Sequence, residues 1–105
     1  MSIYKVAYMR ASNSDDEFVK QEAVLEPYGP FHQTVKETTL NDSQRFGFER
    51  CIEYVRSGDT LYCARADRLC KSKIELLNTI AKLKEKNVDV VFVEQPELLQ
   101  SMRDG

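Results

Sequence analysis

The sequence has few of the residues from which metal centres, disulfide frameworks and membrane spans are built. Its 105 residues include one histidine and three cysteines, and no two cysteines form a C-x-x-C pair. One histidine cannot build a zinc site by itself. An odd cysteine count, with no leader pattern at the amino terminus, favours a reducing, cytosolic compartment. The apolar runs are far too short to cross a bilayer. We therefore expect no metal site, no disulfide and no membrane contact.

The sequence also lacks a basic excess and a glycine-rich loop. Fifteen lysines and arginines face 17 acidic residues, which gives a formal net charge of −2. A free-standing DNA-binding domain is usually basic, so a DNA-binding function would depend on a local patch or on a further segment. Four glycines are present, and none belongs to a glycine-rich loop before a helix, so a dinucleotide or P-loop site has no support. The length predicts one domain with one small core.

Short apolar segments alternate with helical patterns along the chain. The predicted strands are residues 3–9, 31–37, 60–64 and 88–93. The predicted helices between them are about 15–26, 44–57 and 73–86. Strands that alternate with helices form a mostly parallel sheet with helices on both faces. The sequence therefore predicts a three-layer α/β fold around a sheet of four to five strands.

The spacing of apolar residues predicts which helix faces are buried. In the second helix, the apolar stripe at i, i+3, i+4 and i+7 consists of Phe48, Cys51, Ile52 and Val55. Ser72 and Glu75 match a capping box at the start of the third helix. The predicted buried residues of the third helix are Ile74, Leu77, Ile80, Ala81 and Lys84, and those of the first are Phe18, Val19, Ala23 and Leu25.

Reactive and cationic side chains follow the first and third predicted strands. In such sheets, chemistry gathers beyond the carboxyl ends of the strands. A serine hydroxyl needs activation to act as a nucleophile, and guanidinium groups neutralise the charge that builds on a phosphodiester under attack. The predicted nucleophile is Ser12, and the predicted cationic pocket consists of Arg10, Arg45, Arg68 and Lys71. Taken singly, an arginine at a strand end is usually solvated or in a surface ion pair, so the argument depends on the whole pattern.

Five short motifs occur in one order over nearly the whole chain. They are Tyr8-Met9-Arg10-Ala11-Ser12 in the first strand and its loop, Gln21 in the first helix, Gln44-Arg45-Phe46 before the second helix, Gly58-Asp59-Thr60-Leu61 at the turn into the third strand, and Asp67-Arg68-Leu69-Cys70-Lys71-Ser72 after that strand. In order and approximate spacing, they resemble the catalytic domain of the serine site-specific recombinases, the family of resolvases and invertases.

The resemblance implies a concrete reaction on DNA. Ser12 would attack the scissile phosphate, form a phosphoserine link to the 5′ end and free a 3′ hydroxyl, with no metal or cofactor. The residues it assigns to phosphate binding are Arg10, Arg68, Lys71 and Arg45, and the supporting residues are Tyr8, Gln21 and Asp67. It also implies a DNA partner that is bound weakly without a C-terminal region, a homo-oligomer in the full-length form, and a bacterial or phage protein in the cytoplasm that acts at the nucleoid.

Three hypotheses stay open at this point. The first, which we take as the prediction, is that residues 1–105 are one resolvase-like catalytic domain, without the family's dimerisation helix and C-terminal DNA-binding region. The second is a catalytically degenerate interaction or regulatory module, which fits Lys71 and Gln44 in places where the family has arginine and aspartate. The acidic balance and the early end of the chain fit it as well. The third is an unrelated flavodoxin-like domain in which the motifs arise by chance.

Overall fold

Strands and helices alternate as the sequence predicts. The computed structural model describes residues 4–11, 15–38, 46–70 and 72–95. The strands are β1 (Lys5–Ala11), β2 (Gln33–Thr38), β3 (Thr60–Cys63) and β4 (Asp89–Phe92). The helices are α1 (Asp15–Leu25), α2 (Phe46–Tyr54), α3 (Ala66–Leu69) and α4 (Lys73–Glu85), and a 3-10 turn over Glu26–Tyr28 follows α1. Among these helices, none has the length and apolar character needed to cross a bilayer.

The four described strands form one parallel sheet in the order β2-β1-β3-β4. β1 lies inside the sheet and pairs with β2 as far as Ala11↔Thr38. Its pairing with β3 ends much earlier, at Ala7↔Tyr62. The carboxyl end of β1 therefore extends past the paired part of β3, and all the carboxyl ends lie at one edge of the sheet.

Helices cover both faces of the sheet. On one face, Val6 and Tyr8 of β1 belong to the main core, with buried residues of α2 and α4. On the other face, Ala7 and Met9 form a smaller core with Leu25, against which Phe18 of α1 also packs. Because neighbouring residues of a strand point to opposite faces, the nearly continuous apolar sequence of β1 supplies both cores. The predicted three-layer α/β architecture is confirmed.

The predicted buried face is confirmed for α2 and wrong for most of α4. In α2, Cys51 is buried and Phe48 and Ile52 pack partly buried against the main core, with Val55 buried just after the helix. The buried residues of α4 are Leu76, Thr79, Ile80 and Leu83, whereas Ile74, Leu77, Ala81 and Lys84 are exposed. The α4 sequence carries apolar residues on two sides, and the side that reaches the sheet is the i, i+4, i+7 stripe of Leu76, Ile80 and Leu83.

Two further predictions from the helical patterns need correction. In α1, Leu25 is buried and Phe18 half-buried as predicted, but Val19 and Ala23 are exposed. Because α1 covers only the small core around Ala7 and Met9, little of its surface is enclosed. After β3, the sequence of residues 67–71 shows no helical pattern and predicts a loop, but Ala66–Leu69 form the short helix α3, and position 71 lies outside the described residues.

The predicted start of α4 is confirmed, and α1 and α4 end within one residue of the predicted positions, whereas α2 ends at Tyr54 and not at the predicted position 57. The Ser72 hydroxyl accepts a hydrogen bond from the Glu75 N–H at 3.5 Å, as expected for the start of α4. Gly58 after α2 and Asn87 after α4 have φ values of 95° and 62°. Glycine and asparagine tolerate this left-handed conformation best, which explains why the chain turns towards β3 and β4 at these positions.

Two isoleucines of α4 provide a matched test of its buried face. Ile80 is 8% exposed and Ile74 is 72% exposed. We expect Ile80→Val to lower the free energy of unfolding by about 0.5–1.5 kcal/mol, because it removes a buried methylene. The same change at Ile74 is expected to stay within about 0.5 kcal/mol, as is usual for surface positions. Chemical denaturation of both variants measures the difference, and equal losses would contradict the described face.

Candidate active site at the carboxyl edge of the sheet

The residues predicted to do chemistry fall into two groups in the structure. Ser12, Arg45 and Lys71 lie outside the described residues, so their predicted roles rest on the sequence. The predicted site residues that are described are Tyr8, Arg10, Gln21, Asp67 and Arg68. They are found on β1, α1 and α3, around the carboxyl ends of β1 and β3.

Gln21 of α1 holds the backbone of Arg10 near the end of β1. Its side-chain Oε1 accepts a hydrogen bond from the Arg10 N–H at 3.2 Å, and its Nε2 donates to the Arg10 carbonyl at 2.9 Å. The backbone groups of a strand point alternately to its two neighbours, with a period of two residues. The Tyr4 carbonyl accepts a hydrogen bond from the Thr60 N–H of β3, so the N–H and carbonyl of Arg10, six residues later, also face the β3 side. The pairing with β3 has already ended there, so the Gln21 amide replaces a neighbouring strand.

Glu37 of β2 lies next to Arg10 and is buried, with 7% of its surface exposed. The two residues are register partners on β2 and β1. Its Oε1 accepts a hydrogen bond from the Tyr8 hydroxyl and another from the Phe48 N–H at 3.2 Å. Glu37 therefore joins β1, β2 and the first turns of α2, and position 45, which is predicted to carry a site cation, directly precedes that helix in the chain.

Glu37 was missed by the sequence analysis, although the sequence contains a signal for it. It lies two residues after Val35, which packs partly buried against the main core. Because residues two apart share a strand face, Glu37 occupies an inward position. A carboxylate at such a position requires hydrogen-bond partners, and Tyr8 supplies one of them. The buried phenol of Tyr8 thus holds the carboxylate of Glu37, and its predicted supporting role in the site stays a prediction.

Removing the Tyr8 hydroxyl tests this buried contact. We expect Tyr8→Phe to lower the free energy of unfolding by about 1.5–3 kcal/mol, because a buried carboxylate loses a hydrogen-bond donor. Tyr54→Phe is the matched control, since Tyr54 is 43% exposed, and is expected to change stability by less than about 0.5 kcal/mol. Thermal or urea unfolding distinguishes the two variants, and a neutral Tyr8→Phe change would argue against the Glu37 contact.

The same carboxylate influences Cys51 of α2. Burial, with a smaller contribution from the charge of Glu37, raises the pKa of the Cys51 thiol from 9.0 to about 12. The folded state therefore keeps the thiol protonated in a pH range where the unfolded chain ionises it. This contribution to stability is complete below about pH 9 and is lost as the pH rises towards 12. A thiol in this environment is a packing residue and not a nucleophile at neutral pH.

Arg68 of α3 lies close to α1. Its Nη1 is 3.6 Å from the Glu17 Oε2, and its Nε is 3.9 Å from the Oδ1 of Asp67, its neighbour in the chain. The Arg68 side chain is 37% exposed, which leaves it accessible from solvent. Asp67 also contacts Arg65, at 3.8 Å from its Nε. The predicted supporting role of Asp67 is compatible with these contacts and stays a prediction.

One turn of α1 connects Arg10 with Arg68. The Glu17 side chain contacts Arg68, and the Glu17 carbonyl accepts a hydrogen bond from the Gln21 Nε2 at 3.1 Å. Gln21 in turn holds the Arg10 backbone. The structure thus brings the Arg10 backbone, Gln21 and Arg68 to one part of the carboxyl edge, while Tyr8 lies in the main core. Glu17 was not predicted, because its contact joins two helices that are far apart in sequence.

The described residues offer no arrangement suited to a metal ion. No group of three or more histidine, cysteine, aspartate or glutamate side chains within residues 4–11, 15–38, 46–70 and 72–95 has a geometry that would hold one. The chemistry of this edge is instead that of guanidinium and carboxylate groups. Guanidinium groups bind phosphate oxygens, often in a bidentate manner.

The fold is that of the serine recombinase catalytic domains. The catalytic domain of ISC1926 TnpA, an IS607-like serine recombinase, is 23% identical in sequence and superposes with a TM-score of 0.72, over 97% of this chain and 79% of the other. A serine recombinase from Sulfolobus solfataricus is 21% identical, with a TM-score of 0.69, over 98% of this chain and 79% of the other. At these identities the likeness concerns the fold.

The sequence itself identifies the family. The family model "Resolvase, N terminal domain" matches residues 5–104, and the chain belongs to this family. The transposon Tn552 resolvase of Staphylococcus aureus is 31% identical over 91 residues, which are 87% of this chain and 46% of that protein. This chain therefore spans about half the length of the curated relatives it matches. The match overturns the hypothesis of an unrelated flavodoxin-like domain with chance motifs.

Proposed function

We propose that this chain is the catalytic domain of a serine site-specific recombinase, which cleaves and rejoins DNA through a 5′-phosphoserine intermediate. The observation that carries the proposal is the connection, through α1, between the Arg10 backbone and the Arg68 side chain. Arg10 precedes Ser12 by two residues in the chain, so Gln21 fixes the backbone that leads to the proposed nucleophile. The relatives named as transposon resolvase and DNA-invertase support the same function.

The proposed reaction exchanges one phosphodiester bond for another. The Ser12 oxygen attacks the scissile phosphorus and loses its proton, while the bond to the 3′ oxygen breaks and that oxygen leaves as a hydroxyl. Arg10, Arg68 and Lys71, with Arg45 as a further cation, bind the phosphate and stabilise the charge on its non-bridging oxygens. The reverse attack by a 3′ hydroxyl rejoins the DNA. Neither step oxidises or reduces any group, so the chemistry requires no cofactor.

The remaining assignments follow from this reaction. We propose that residues 1–105 form one catalytic domain, that DNA is its partner, and that the protein acts as a homo-oligomer in its full-length form. Strand exchange between two DNA segments requires more than one nucleophile, which is the chemical reason for the oligomer. The proposed location is the bacterial cytoplasm, where a bacterial or phage-encoded protein would act at the nucleoid.

A covalent adduct with DNA tests the proposed function. The full chain is incubated with a library of supercoiled plasmids whose inserts together cover the genome of the source organism. The reaction is stopped with detergent. We expect a protein–DNA adduct in which the 5′ ends resist a 5′ exonuclease and the 3′ ends are extended by a terminal transferase. Mass spectrometry is expected to place the nucleotide on the peptide that contains Ser12. A folded protein that forms no adduct, or an adduct on another residue, would favour the interaction-module hypothesis instead.

A further inference from the structure

Five charged side chains form a continuous series of ion pairs along the carboxyl edge. In order they are Glu17, Arg68, Asp67, Arg65 and Glu94, and we call them the edge ion chain. Successive N–O distances are 3.6, 3.9, 3.8 and 3.7 Å. The edge ion chain joins α1, α3 and the segment after β4. It contains one more carboxylate than guanidinium group, so its net charge opposes the binding of a phosphate.

The ion pairs of Arg68 in the edge ion chain are weak enough to be replaced by contacts with another anion. Both of its ion-pair distances exceed the 2.7–3.2 Å range of good N–H···O hydrogen bonds. The Arg68 and Glu17 side chains are 37% and 34% exposed, and ion pairs of this kind contribute little to stability. A phosphate diester accepts two parallel hydrogen bonds from one guanidinium group, which is a stronger and more directional interaction.

Glu17 and Asp67 differ in which part of the protein must move to separate their carboxylates from Arg68. Asp67 is next to Arg68 on α3 and moves with it. Glu17 belongs to α1, and only its carboxylate reaches Arg68. The contact that links Glu17 to Gln21, and through it to the Arg10 backbone, is made by its main-chain carbonyl. The Glu17 carboxylate can therefore leave Arg68 while the Gln21–Arg10 contacts stay in place.

We propose that Glu17 regulates the site as a competitor of DNA: its carboxylate occupies Arg68 in the free protein and is displaced by a backbone phosphate. The proposal rests on the proposed function, since it assigns Arg68 to phosphate binding. Glu17 thus lowers the affinity for DNA in general, and only a phosphate placed well enough to make the bidentate contact with Arg68 releases it.

The effect on affinity is measured with a random-sequence 20-base-pair duplex by fluorescence anisotropy. We expect Glu17→Gln to tighten binding about two- to fivefold, the range that corresponds to an exposed ion pair. The matched control is Glu22→Gln, which removes one negative charge from the same helix. Glu22 pairs with Lys36, away from the edge ion chain, and we expect a smaller change in affinity for this variant.

A double-mutant cycle separates competition from a simple charge effect. If Glu17 acts by occupying Arg68, the gain from Glu17→Gln disappears in an Arg68→Gln background. A gain of equal size in both backgrounds overturns the proposal, because charge alone then explains it. Weaker binding by Glu17→Gln also overturns it, since Glu17 would then position Arg68 for DNA. The melting temperatures of all variants verify that the compared proteins are folded.

The double-mutant cycle and the adduct experiment test two separate proposals, and either can give a negative result without the other. An adduct without coupling between Glu17 and Arg68 leaves the proposed function standing and removes the competition. Coupling without an adduct keeps the competition for phosphate and removes the proposed strand cleavage. Each combination of results therefore decides both questions.

Discussion

Replacing Ser12 by alanine is expected to reduce the covalent protein–DNA adduct to the limit of detection. The hydroxyl oxygen is the atom proposed to bond to phosphorus, and alanine offers no atom in its place. Noncovalent binding of DNA is expected to stay near the wild-type level, because the cationic residues remain. Gel separation under denaturing conditions measures the adduct, and anisotropy with the same DNA measures binding.

Ser57→Ala is the matched control for this prediction. Ser57 is exposed, and its hydroxyl accepts a hydrogen bond from the Asn87 side chain at 3.0 Å. It lies before β3, at the opposite edge of the sheet from the candidate site. We expect this variant to form the adduct at the wild-type rate. An adduct that persists in Ser12→Ala, or that is lost in Ser57→Ala, would place the nucleophile elsewhere.

Replacing Arg68 by glutamine is expected to slow DNA cleavage by about a hundredfold or more. Loss of one preorganised group that stabilises transition-state charge typically has an effect of this size. Arg68→Lys is expected to recover only part of the rate, because lysine keeps the charge but lacks the planar fork that binds two oxygens. Single-turnover cleavage of DNA by a saturating amount of protein measures this step apart from DNA affinity.

The matched control for Arg68 is Arg56→Gln. Arg56 is exposed and follows α2, and its N–H donates to the Asp59 carboxylate at 2.8 Å through the main chain, which the substitution preserves. We expect a cleavage rate within a factor of two or so of the wild type, as is usual for surface positions. Equal losses in the two variants would indicate a general effect of positive charge and would contradict a specific role of Arg68.

The order of elements follows from the sequence because local patterns decide it. The apolar run of β1, the i, i+3, i+4, i+7 stripe of α2 and the Ser72 cap each involve residues close together in the chain. The parallel sheet then follows from the alternation of strands and helices. The family motifs predict the site positions only as a pattern of residue types, and three of the five predicted catalytic residues lie outside the described part of the chain.

The features that the sequence did not predict are contacts between segments that are distant in the chain. Periodicity offers two apolar sides of α4, and only the packing against the sheet selects the side of Leu76 over that of Leu77. Glu37 is recognisable as an inward carboxylate, but its donor from α2 depends on where that helix begins in space. The contact of Glu17 with Arg68 depends on how α1 and α3 approach each other, which the spacing of residues in the chain does not specify.

The Gln21 amide affects the path that the chain takes after β3. Because a side chain, and not a residue of a longer β3, binds the Arg10 peptide, the chain after β3 does not continue as a strand beside Arg10. The end of β3 creates the room in which α3 turns back towards β1 and brings Arg65 and Arg68 with it. A single amide thus substitutes for a length of strand, and the space it liberates is filled with charged groups.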